Sequence, residues 1–296
     1  MRRNQLWLVI FGLILLNCLT IAIFLSKSKE TNSMAVNNEK VATIGDSSIS
    51  RQEWLNELEA RYGKDVLKEM IDQKVIKEMA KKYKITVPDR DVEREFKMIQ
   101  TTYGTSNQNK LLDEKKWKEQ IKNSLLLEEI LTKDVIVSKS EMESYYKKNK
   151  SLFDVPTAYH LSQIIVKTKD DANRAIKELS QGSSFSALAM ERSIDNFSAN
   201  QGGDLGYITE DDEQYPGKYI DVAKKLKEGK WSQPFKVEQG YAILELHNII
   251  NGKNYSYNEV KDQVRRQIAM EQMKIPASAR TFWDDAKVSW FYGNKE

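Results

Sequence analysis

Gln201-Gly202-Gly203-Asp204-Leu205-Gly206-Tyr207, answered later by Gly240-Tyr241-Ala242-Ile243-Leu244, is the stretch whose reading decides the fold. Gly202, Gly203 and Gly206 serve the backbone first, because glycine takes positive φ without strain and lets a neighbouring strand come close. A glycine-rich strand is expected over Gly203–Thr209. Working outward, apolar runs predict strands over Tyr159–Lys167 and Tyr241–Asn248. Helices are predicted over Asp170–Ser180, Phe185–Glu191 and Lys218–Lys227. Antiparallel strands with helices on a face make an α+β domain.

The residues before this segment read differently. Val41-Ala42-Thr43-Ile44, Gly45-Asp46 and Ser47-Ser48-Ile49 form a short hairpin pattern. Ser50 with Glu53 is a capping box for a helix to about Tyr62, and Gly63 is expected to separate it from a second helix. That second helix carries Leu67, Met70, Ile71, Val75 and Met79 at three- and four-residue steps, an amphipathic stripe. Pro88 starts a helix to about Tyr103, and Thr101–Asn109 is loop-like. Trp117, Ile121, Leu125, Leu126 and Ile130 mark another helix, and Ser138 with Glu141 caps a last one ending near Lys150. After Gly252 helix returns, with Val260, Val264, Ile268 and Met270 along one side. Pro276 then punctuates, a further helix surrounds Phe282-Trp283, and Val288–Tyr292 is the last apolar piece.

Leu6–Leu25 is a run of 20 residues without a charge, preceded by Arg2-Arg3 and followed by Lys27 and Lys29. At about 1.5 Å per residue it spans the roughly 30 Å hydrocarbon core of a bilayer. An uncleaved membrane anchor is the preferred reading, with a cleaved signal and lipid attachment at Cys18 as alternatives. The amino terminus is placed in the cytoplasm and the bulk outside. Domain limits follow: 1–26 anchor, 27–40 linker, 41–154 helical, 155–250 α+β, and 251–296 helical again.

Of the 296 residues 30% are charged and the formal net charge is +3, which argues against nucleic acid as partner. Cys18 is the only cysteine, so the soluble part has no disulfide, no thiolate metal site and no cysteine catalysis. With only His160 and His247 as imidazoles, no metal site is expected.

From Pro156 to Ile249 the motifs together resemble a parvulin-type peptidyl-prolyl isomerase domain. They are Gln163-Ile164-Ile165-Val166-Lys167, Gly182-Ser183-Ser184-Phe185-Ser186-Ala187-Leu188-Ala189, Ser193-Ile194-Asp195, the two glycine stretches, and Leu226-Lys227-Glu228-Gly229-Lys230-Trp231-Ser232-Gln233-Pro234. Helical segments on either side resemble the extracytoplasmic PrsA and SurA foldases. The resemblance implies a parvulin-like α/β domain inserted between amino- and carboxy-terminal parts of one helical, SurA-like chaperone domain. It further implies that Tyr255–Met273 packs on the first helices and that Val288–Tyr292 pairs with Val41–Ile44.

The resemblance also assigns the site. Gln163 and Ala242 stand where the family carries its two histidines, and Asp195 matches its Asp or Cys. Gln163 and Asp195 are thus the catalytic candidates, with Leu205, Tyr215, Tyr219, Val237, Gln239 and Ala242 as substrate-binding candidates. Lys224 replaces a phenylalanine of the family. His160 is no substitute for Gln163, since three residues along a strand put its side chain on the opposite face. Blander roles stand beside these: Asp195 can cap a turn, Tyr215 and Tyr219 can be core, and both histidines can be ordinary strand residues.

Two functions remain open. One is a membrane-anchored extracytoplasmic isomerase with weakened turnover that assists the folding of exported chains. The other is an inactive parvulin-fold chaperone or assembly scaffold. Either takes unfolded or prolyl-containing polypeptides as partners, with a second copy of the chain as a further candidate, and neither needs a cofactor.

Overall fold

The computed structural model describes residues 39–103, 114–274 and 277–293. The anchor expected over Leu6–Leu25, most of the loop expected to Asn109, and Pro276 lie outside them. Among the described residues no helix is long and apolar enough to cross a membrane. The chain divides into two compact units, one of residues 1–72 and 288–296, the other of 73–287.

In the first unit, β1 (Lys40–Ile44) and β2 (Ser47–Ser50) form an antiparallel hairpin closed by Gly45-Asp46. Ser50 Oγ accepts the Glu53 N–H at 3.2 Å and starts α1, Arg51–Tyr83, a helix of 33 residues whose last turns belong to the second unit. Gly63 does not end the helix as expected. An interior glycine costs only about 1 kcal/mol, which good helix formers on both sides outweigh. A Cβ at residue 63 would lie 2.8 Å from the Tyr292 hydroxyl, so the ring rests where a larger residue would block it. The expected pairing of Val288–Tyr292 with β1 is likewise corrected. That segment forms no strand, and β1 pairs with β2 alone among the described residues. Trp290 and Phe291 instead set their rings edge-on to Tyr292, at 5.5 and 5.2 Å. None of the described residues of this unit is buried.

The second unit begins with the buried Val75, Ile76 and Met79 of α1. α2 (Asp89–Tyr103) and α3 (Glu114–Leu131) follow, with Phe96 and Trp117 edge to face at 6.4 Å. α4 (Lys139–Lys148) is capped by Ser138, and a 3-10 turn then buries Phe153 completely.

Seven elements come first. They are β3 (Ala158–Val166), α5 (Lys169–Ser180), α6 (Phe185–Arg192), the single turn α7 (Asn196–Ala199), β4 (Asp204–Thr209), α8 (Gly217–Ala223) and β5 (Lys230–Trp231). β6 (Phe235–Val237) and β7 (Gly240–Ile250) complete an antiparallel sheet in the order β4-β3-β7-β5, with β6 also on β7. α8 stops short of the Lys227 expected for it.

Helices cover both faces of this sheet rather than one. Every residue of β3 except His160 is buried, so both of its faces need cover. Ile164, Val166 and Ile243 pack on α5 and α6 through Ala172, Ala175, Leu179 and Leu188. On the other face Tyr159, Leu161, Leu244 and Leu246 pack on α8 through Tyr219, Ile220 and Ala223.

α9 (Tyr257–Met273) returns to the helical side, where Val260, Val264 and Ile268 meet Phe153, Tyr145 and Tyr146. The buried Arg266 binds Glu128 and Glu129 of α3 at 2.9 Å each. Burial pushes the Glu128 carboxyl above its ordinary range even against this partner. Beyond α9 the helix expected around Phe282-Trp283 is a single 3-10 turn, Ala279–Phe282.

Candidate functional site

The site lies on the α8 face of the sheet, and two glycines shape its edge. Gly203, at φ 82°, offers its carbonyl to the Gln163 N–H at 2.8 Å, and a Cβ there would come within 2.3 Å of the Gln163 carbonyl oxygen. The loop is thereby pressed onto β3. Gly206, at φ 72°, accommodates a bulge, for Leu161 faces Gly206 and Ser162 faces Asp204, which leaves Leu205 over. Leu205 packs on the cleft-side core instead of extending the ladder.

Four polar side chains form a hydrogen-bonded chain beside Leu205. Asp195 caps α7, accepting the N–H groups of Phe197 and Ser198 at 3.3 Å each. Its Oδ2 also accepts the Ser198 hydroxyl at 2.6 Å and Gln163 Nε2 at 2.7 Å. Gln163 Oε1 in turn accepts the Tyr219 hydroxyl at 2.6 Å. A carboxylate can only accept, so the Gln163 amide must turn its NH2 to Asp195 and its oxygen to Tyr219. Capping and cleft placement, alternatives for Asp195 in the sequence, occur together.

Burial acts to raise the Asp195 carboxyl, but the bonds from Ser198, Gln163 and the two backbone N–H groups outweigh it and hold the group below its ordinary value. Burial, aided by the negative charge of Asp195, pushes the Tyr219 phenol up. Tyr215 is pushed up to about 12, by burial first and then by the charges of Asp212, Asp195 and Asp204. Both phenols therefore keep their protons at neutral pH.

Beside this chain is a cleft of about 310 Å³. Gln163, Asp195, Leu205, Tyr215, Tyr219, Val237 and Gln239 all line it. Ala242 does not. It is fully buried within the sheet, paired with Ile165 on β3 and Phe235 on β6. Lys224 is engaged with Glu210 at 2.5 Å and is not part of the lining. The Tyr219 ring stands edge-on to Phe235 at 5.7 Å and tilted on Tyr215 at 5.9 Å.

Sequence reasoning did not single out Phe197, Ile165, Pro216, Gln214 or Glu238, which also line the cleft, nor Ser198, which completes the polar chain. Phe197 is 74% exposed. An Asp followed three residues later by Ser, across an aromatic, was the available signal for the one-turn helix.

Both histidines lie on the opposite face. His160 Nε2 is 2.8 Å from Asp204 Oδ1, His247 Nε2 is 2.7 Å from Ser162 Oγ, and the two rings stand 4.7 Å apart. Among the described residues no group of three or more His, Cys, Asp or Glu side chains could hold a metal ion.

The PPIC-type PPIase domain family matches residues 137–262, a span that contains every cleft residue. YacD of Bacillus subtilis (strain 168) is 43% identical over 296 residues, covering 100% of this chain and 99% of its own. The foldase protein PrsA of Geobacillus kaustophilus (strain HTA426) is 33% identical over 245 residues, 80% of this chain and 79% of its own. A crystal structure of PrsA from Bacillus cereus aligns over 86% of this chain and 94% of its own at 25% identity, with a TM-score of 0.34.

Proposed function

The chain belongs to the PPIC-type peptidyl-prolyl isomerase family of PrsA-like foldases, and on that premise we propose that it is a membrane-anchored extracytoplasmic foldase that grips prolyl segments of exported chains with weak isomerase turnover. The observation that carries the reading is the cleft, where Leu205, Tyr215, Tyr219 and Val237 surround a volume of about 310 Å³. Rotation about a prolyl bond meets a barrier of about 18–20 kcal/mol and needs no covalent step. The planar amide is more polar than the twisted one, so a pocket that strips water from it favours the twisted form.

Weak turnover follows from Gln163 and Ala242. The Gln163 amide has its oxygen taken by Tyr219 and its nitrogen by Asp195, and it cannot titrate as an imidazole does. Ala242 brings no polar atom. In this reading Gln163 and Asp195 hold the pocket wall in place, while Leu205, Tyr215, Tyr219, Val237 and Gln239 touch the client. Leu6–Leu25 supplies the anchor, and the helices that precede residue 155 and follow residue 250 form the SurA-like chaperone domain. Exposed apolar side chains of the first unit, Trp54, Leu55, Tyr62, Val66 and Met70 among them, give client chains or a second copy a surface to cover.

The test sets two assays side by side on the full-length chain in detergent: cis-to-trans conversion of a short prolyl peptide, and suppression of aggregation of an unfolded protein. Suppression with turnover far below that of a histidine-bearing parvulin is expected, with a rise in turnover for Gln163→His combined with Ala242→His. Wild-type turnover equal to that of the histidine-bearing enzyme would sink the weak-turnover reading.

A further inference from the structure

The cleft carries charge of one sign. Among its lining residues the ionisable groups that bear charge at neutral pH are Asp195 and Glu238, and the lining holds no lysine or arginine. Glu238 sits in the turn between β6 and β7, between the lining residues Val237 and Gln239, and is exposed. No hydrogen bond or ion pair engages its carboxylate among the described residues, whereas the Asp195 carboxylate is fully occupied by Gln163, Ser198 and the α7 backbone.

The neighbouring lysines lie outside the lining. Lys218, beside Tyr219 on α8, places its ammonium 3.3 Å from the Lys236 carbonyl oxygen and 5.5 Å from the centre of the Phe235 ring. Lys224 is held by Glu210. After burial, the charges of Asp212, Asp195 and Asp204 add to the upward push on the Tyr215 phenol.

A prolyl segment seated among Leu205, Tyr215 and Tyr219 brings its flanking residue to this rim. A lysine or arginine there meets an exposed carboxylate, and an aspartate or glutamate meets repulsion. We infer that the cleft selects prolyl segments with a basic residue beside the proline, and that Glu238 is the residue that sets this preference. The inference rests on the proposal that the cleft binds prolyl segments, and it adds which ones.

The experiment measures dissociation constants of four fluorescent peptides, Ala-Lys-Pro-Phe, Ala-Ala-Pro-Phe, Ala-Glu-Pro-Phe and the proline-free Ala-Ala-Ala-Phe, for the full-length chain in a non-ionic detergent. The lysine peptide is expected to bind about fivefold more tightly than the glutamate peptide, the combined size of one exposed attraction and one exposed repulsion. That ratio should shrink in high salt, fall to within about twofold in Glu238→Gln, and invert in Glu238→Lys. If the alanine prolyl peptide outbinds the proline-free one while the lysine and glutamate peptides bind equally, the charge preference is overturned and the prolyl cleft stands. If the ratio persists unchanged in Glu238→Lys, the assignment to Glu238 is overturned. If no prolyl peptide outbinds the proline-free control, the reading of the cleft itself falls, and this inference with it.

Discussion

The two faces of the antiparallel sheet use polar side chains for different ends. On the back face His160 bonds to Asp204 and Ser162 to His247, two pairs beside Tyr207, whose ring lies 5.0 Å from that of His160. On the front face Tyr219, Gln163, Asp195 and Ser198 form one continuous chain, and beside it a volume of about 310 Å³ is left open. The face with both imidazoles has the more familiar catalytic residues. The face with the Gln163 amide has the space. A binding site needs concavity and an apolar grip before it needs a titratable group.

The comparison breaks most severely at Gly203. In Gly203→Ala the new Cβ would fall 2.3 Å from the Gln163 carbonyl oxygen on a backbone with φ 82°. We expect a loss of about 2–4 kcal/mol in urea unfolding, together with loss of prolyl-peptide binding. Unchanged stability would mean that the loop is not pressed onto β3.

Removing one hydroxyl probes the front chain more gently. Tyr219→Phe keeps the ring against Phe235 but leaves the buried Gln163 oxygen without its donor. Destabilisation of about 1–3 kcal/mol is expected, readable as a lower thermal midpoint. A larger effect in His160→Phe than in Tyr219→Phe would reverse the ranking of the two faces.

Acid acts on the front face through Asp195. Its carboxyl is held below the ordinary value, so its charged form stabilises the fold above the unfolded value of about 3.9, and that contribution is lost as pH falls through the lower folded value. A thermal midpoint insensitive to this group down to about pH 5 and falling below about pH 4 is expected. Asp195→Asn should flatten the acid limb, and an identical limb in that variant would remove Asp195 from the account. The smallest effect is expected on the back face, where His247→Ala should change prolyl turnover by less than about twofold. A tenfold loss would show that the back face takes part.

The sequence was most informative where local chemistry and long-range packing agree. Ser50 and Ser138 capped helices where their spacing to Glu53 and Glu141 predicted, and the glycine pair marked the loop beside the cleft. Seven of the eight candidate residues line one cleft, because the strand and loop motifs that carried them also determine their register. Gly63 misled, since local propensity cannot reveal a ring from residue 292 lying over a helix. Ala242 misled as well. Its position on the strand says nothing about its complete burial between the paired strands of Ile165 and Phe235.

By itself the sequence determined the family and the alternation of helix and strand, because these are properties of residues and their spacing. Only the tertiary structure decided that Gln163 bonds at both ends, that Leu205 leaves the ladder, that Glu238 stands exposed at the rim and that space remains among them. Those facts depend on bonds and contacts between residues tens of positions apart, and on volume left unfilled, which no local pattern encodes.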